Sequence, residues 1–61
     1  MTLKVYYIEN TNALEEALEK IIDGFACWVK RNLIEMNYSE ISIKARDEDI
    51  KHIEDILAPM M

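Results

Sequence analysis

Sixty-one residues carrying a net charge of −5 allow one small domain, and a single cysteine, Cys27, rules out a disulfide within the chain. Seven basic residues scattered among twelve acidic ones form no patch for a phosphate backbone, and no stretch approaches the ~20 apolar residues that cross a bilayer. A lone histidine argues against a dense metal site, so a chain this short must lean on a highly apolar core or on a partner subunit; with 51% hydrophobic residues it has the means for both.

Residues 3–8, Leu-Lys-Val-Tyr-Tyr-Ile, are β-branched and aromatic and predict a strand. Leu3, Val5 and Tyr7 share one face, and Lys4, Tyr6 and Ile8 the other. Because the second face is half apolar too, cover on both sides is expected, with Tyr6 as the aromatic ring left on the outer face. Residues 1–10 lack the continuous apolar run of a secretory leader, and together with the lone thiol this places the expected location in the reducing cytoplasm.

Asn10-Thr11-Asn12 is a capping cluster, and Asn12 with Glu15 three residues on predicts an N-cap and an approximate capping box. From there the apolar residues Leu14, Leu18, Ile21, Phe25, Trp28, Val29 and Met36 recur with helical spacing. Early glutamates and a late Lys30-Arg31 match the helix dipole. The prediction is one long amphipathic helix over 12–36, with an apolar arc about 160° wide against the ~100° of an ordinary surface helix. Three residues fit it awkwardly. Gly24 lies in its middle, Asn32 falls near the centre of the apolar arc, and Ile34 points to the polar side. Ala13, Ala17 and Gly24 line up as a small-residue strip that would admit another backbone.

Asn37 closes the helix, with the left-handed C′ conformation expected there. Residues 41–45 alternate Ile41, Ile43 and Ala45 with Ser42 and Lys44, a half-buried strand. Asp47-Glu48-Asp49 opens a second helix over 47–58, with Ile50, Ile53, Ile56 and Leu57 as its apolar face and Pro59 as its stop. The expected fold is therefore α/β (α+β): two-layer β-α-β-α, one long helix on a two-stranded sheet. A crossover makes those strands parallel if they are adjacent. Two exposed edges leave so small a sheet incomplete, and completion as a homodimer is expected.

Chemistry is sparse. Glu48, His52 and Asp55 at i, i+4 and i+7 are the one weak metal candidate, with no fourth ligand in the sequence; a solvated helix face is the favoured reading. Cys27 beside Lys30 and Arg31 could have a lowered thiol pKa, but no base accompanies it. Glu15, Glu16, Glu19 and Asp23 make an acidic stripe, read as a solvated surface or as a docking stripe for a basic partner, including the phosphate mimicry used by some small phage- and plasmid-borne inhibitors. Gly24 is the only glycine, so no Gly-rich phosphate loop exists. No catalytic constellation and no cofactor site emerge. The residues expected to meet something outside the chain are Tyr6, Ala17, Gly24, Trp28, Asn32 and Ile34. The expected function is a small non-enzymatic interaction module, an accessory subunit, adaptor or inhibitor of a larger protein acting as a homo-oligomer. The alternatives are a small-molecule-binding regulatory module with its ligand between protomers near the strand ends, and, less favoured, a nucleic-acid-binding accessory protein using Lys4, Lys44 and Arg46.

Overall fold

The computed structural model describes all residues, Met1–Met61. It is an α+β fold with three strands and two helices: β1 (Thr2–Glu9), α1 (Asn12–Gly24), β2 (Trp28–Leu33), β3 (Tyr38–Ala45) and α2 (Asp47–Leu57), closed by a 3₁₀ turn over Ala58–Met60. The sheet order is β1-β3-β2, and β3 runs antiparallel to both neighbours. β1 and β2 therefore point the same way, joined over the sheet by α1, and β3 occupies the slot between them. This is a split β-α-β unit with a hairpin return.

The expected helix over 12–36 ends at Gly24, and the chain beyond it becomes a strand. The Phe25 N–H still donates to the Ile21 carbonyl at 3.1 Å, but Phe25 itself is extended, with φ −134° and ψ 146°. Helix propensity falls at Gly24, and Cys27-Trp28-Val29 supply β-branched and aromatic bulk that pairs well across a sheet. The extra strand also corrects the strand count and orientation. β3 returns to β1 from the hairpin rather than from a crossover, so the pair is antiparallel: Thr2 lies opposite Ala45 and Glu9 opposite Tyr38. Asn37 sits in the hairpin loop without a positive φ, and its carbonyl accepts the Asn10 N–H at 2.6 Å.

Thr11, not Asn12, caps α1: its extended backbone (φ −133°, ψ 167°) lets Oγ1 accept the Leu14 N–H at 3.2 Å. Glu15 is thereby free of the capping box and pairs with Arg31 instead. α2 begins with Asp47, Glu48 and Asp49 in its first turn, where the dipole favours them, and Arg46 at the N-cap position pairs with Asp49 and Glu48. The Thr2 hydroxyl donates to Asp47, tying the start of β1 to the start of α2.

Both helices pack on one face of the sheet. Tyr6 and Ile8 of β1 and Ile41, Ile43 and Ala45 of β3 meet Leu14, Ala17, Leu18 and Ile21 of α1 and Ile50, Ile53 and Leu57 of α2. Each buried aliphatic side chain contributes roughly 1.5–3 kcal/mol. The period of two places Tyr6 in this core, 8% exposed, and turns Tyr7 outward, 62% exposed. The expectation that Tyr6 is the outer ring is thus reversed: β1 is covered only on its Tyr6 and Ile8 side. No helix is long and apolar enough to cross a membrane.

Candidate interaction surface

With both helices on one side, the other face of the sheet has no layer over it. The strand registers fix its rows. Leu3, Lys44 and Trp28 form the first, Val5, Ser42 and Lys30 the second, and Tyr7, Glu40 and Asn32 the third; Tyr38 follows beside Glu9. Leu3, Val5, Tyr7, Trp28 and Tyr38 are all exposed. Apolar side chains lie mainly along β1 and at the ends, while the β3 residues between them carry polar groups. Glu40 bridges the third row, accepting the Tyr7 hydroxyl at 3.4 Å and the Asn32 Nδ2 at 3.4 Å.

At the Leu3–Trp28 end the surface sinks into an open hollow of about 850 Å³, lined by Met1, Leu3, Ala26, Cys27, Trp28 and Lys44. Its walls are apolar and Lys44 supplies the one charged side chain. At the opposite end the β2–β3 hairpin exposes Leu33, Ile34 and Met36.

Cys27 is half-buried, and its thiol lies 3.7 Å from the Ile21 carbonyl. Burial, and then the negative charge of Asp49, push its pKa up. The shift runs opposite to the lowered thiol pKa that Lys30 and Arg31 could have given, and agrees with a structural cysteine. In a strand those residues alternate sides, and Arg31 is committed elsewhere: it donates to Glu15 at 2.6 Å, Asn10 at 2.8 Å and Ser39 at 3.2 Å. Ser39 is fully buried and passes its own hydroxyl hydrogen to Asn10. This cluster pins β2 to α1 and to the β1–α1 turn.

Glu48, His52 and Asp55 do not gather, and no group of three His, Cys, Asp or Glu side chains is disposed to hold a metal ion. His52 instead stacks on Phe25, with ring centroids 6.4 Å apart and planes 17° from parallel. Tyr6 donates to Glu54 Oε2 at 3.1 Å. Ala17 is a core residue, and a side chain at Gly24 would meet open space, so the strip does not present one continuous small-residue surface. Asn32 is exposed on the open sheet face, and Ile34 in the hairpin loop. Of the residues expected to face outward, Trp28, Asn32, Ile34 and Gly24 do so, while Tyr6 and Ala17 are buried. Lys4, Lys44 and Arg46 share no face: Lys44 lies on the open side, Lys4 alternates to the helix side, and Arg46 is in ion pairs at the start of α2. The acidic stripe of α1 survives as a shallow exposed surface around Glu16, Glu19, Lys20 and Asp23.

Leu3, Val5, Tyr7 and Tyr38 escape sequence reasoning. The signal available is the two-sided apolar pattern of 3–8, which marks a strand that either is covered twice or shows one apolar face. No family model, curated protein or solved structure matches the chain.

Proposed function

We propose that this chain is a non-enzymatic interaction module of the cytoplasm, a homo-oligomer that presents its open sheet face to a larger protein. One observation carries the reading: Leu3, Val5, Tyr7, Trp28 and Tyr38 are exposed together on a sheet face that no element of the chain covers. Exposed apolar side chains concentrated on one uncovered face are characteristic of interaction sites, and aromatic rings are enriched where interfaces are strongest. Nine of the twelve acidic residues lie in the two helices. The acidic layer thus faces away from the apolar one, keeping the chain dispersed while the sheet docks. A basic partner would meet the helices, so the sheet face selects its partner by apolar shape.

The test compares two double variants. Trp28→Ala with Tyr38→Ala should abolish the complex isolated with the tagged chain while leaving the far-ultraviolet circular dichroism unchanged. Glu16→Ala with Glu19→Ala should leave the complex intact. The opposite pattern would contradict sheet-face docking.

The hollow beside Trp28 favours a second reading, a regulatory module for a small apolar carboxylate held between protomers, with Lys44 as the counter-charge. Arylalkanoic acids should then quench Trp28 fluorescence saturably, and Lys44→Ala should weaken the response; a flat titration would remove this reading.

A further inference from the structure

We propose that a second copy of this chain pairs with β1 through its own β1, antiparallel and centred on Val5, so that two three-stranded sheets become one of six. The inference rests on the interaction-module reading and names its first partner. β1 is an edge strand of eight residues, with an unbroken ladder to β3 from Thr2 to Glu9, no bulge and no proline. Edges are normally guarded by such interruptions or by charge, and the charges β1 carries are Lys4 and the terminal Glu9. The other edge, β2, is guarded by adjacent Lys30 and Arg31.

Symmetry makes the difference between the edges quantitative. A two-fold axis through a joined sheet keeps each face on its own side, so the register must centre on a residue. On β2 the two registers that use most of the strand centre on Lys30 or Arg31, and each places like charge directly against like charge, which is destabilising. On β1 the register centred on Val5 sets Leu3 against Tyr7 of the second copy, Val5 against Val5, Lys4 against Tyr6 and Thr2 against Ile8. No like charges meet. The neighbouring register, centred on Tyr6, sets Leu3 against Glu9 and loses an apolar pair.

Lys4 supplies the complementary charge. It is exposed on the helix side of β1 and makes no ion pair within the chain. Opposite Tyr6 of the second copy, it comes to the side where that tyrosine meets Glu54. Each copy thus offers a cation to the other's carboxylate. On the open side, the two Leu3-Val5-Tyr7 rows merge into one apolar patch, enlarging the docking face.

Light scattering at micromolar concentration should give the mass of two 7.2 kDa chains. Lys4→Glu should weaken the dimer at least ~10-fold in Kd, and adding Glu54→Lys should restore it, with circular dichroism reporting the fold throughout. Cysteine trapping reads the register directly. In a Cys27→Ser background, Val5→Cys should oxidise to a covalent dimer. Leu3→Cys and Tyr7→Cys should each stay monomeric under denaturing conditions but crosslink when mixed. A one-chain mass, or a two-chain mass with no Val5→Cys crosslink, overturns the pairing. Trp28 and Tyr38 lie off the β1 edge, so either result is separable from loss of docking in their double variant.

Discussion

The Tyr6 hydroxyl donates to Glu54 Oε2 at 3.1 Å, and this half-buried bond joins the sheet to α2. Burial first, then the hydrogen bond and charge of Glu54, push the Tyr6 pKa up from 10.0 to about 12. Below pH 10 the phenol is neutral in both folded and unfolded chains, and its stabilising contribution is whole. As pH rises from 10 towards 12 the unfolded chain ionises first, so stability falls over that window. Urea denaturation at stepped pH should show the fall, and Tyr6→Phe should flatten it while costing about 0.5–1.5 kcal/mol at pH 7.

Gly24 ends α1 without a positive φ, and a Cβ there meets nothing within 4 Å. Gly24→Ala should therefore stabilise the fold by about 0.5–1 kcal/mol, through helix propensity and a less free unfolded chain. A lowered urea midpoint would mean that the helix end needs glycine for a reason the geometry does not contain.

Arg31 and Glu15 should differ sharply although they form one ion pair. The pair is largely exposed at its Glu15 end, and Glu15→Ala should cost under ~1 kcal/mol. Arg31 also donates to Asn10 and to the buried Ser39. Arg31→Ala should cost about 1–2 kcal/mol more, and Arg31→Lys should rescue little, because an ammonium lacks the planar fork. Equal costs in equilibrium denaturation would contradict this division.

Cys27 should react slowly. Its thiol pKa is held above the usual 9.0 by burial and, second, by Asp49, so the alkylation rate should rise with a midpoint above that value. Asp49→Asn should lower the midpoint only partway, since burial remains. A midpoint below 9.0 would contradict this and point instead to a thiol activated by nearby cations.

The sequence reveals the elements whose local pattern has one solution. Alternation in 3–8 and 41–45 and the Ile50–Ile53–Leu57 spacing each survive in β1, β3 and α2. The stretch from Phe25 to Met36 is ambiguous because Phe25, Trp28, Val29 and Met36 satisfy a helical period by coincidence of spacing. Gly24, Asn32 and Ile34 carry the contrary signal. As a strand, Asn32 joins Trp28 and Lys30 on the open face, and Ile34 falls in the hairpin, so none needs special explanation. The exposed face was hidden for the same reason: without β2 the sheet lacks the strand that makes its antiparallel order, and nothing decides which side of β1 the helices cover. Tyr6 and Tyr7 are neighbours in sequence with opposite fates, and only the tertiary packing assigns them.

The open sheet face, rather than the acidic helix layer, is proposed to meet partners. A photo-crosslinking residue placed at Trp28 or at Lys20 tests it in the native cell. Trp28 lies on the sheet away from the β1 edge, and Lys20 on the exposed side of α1. Position 28 should give a discrete heavier adduct and position 20 none. An adduct from position 20 alone, or from neither, would contradict sheet-face docking.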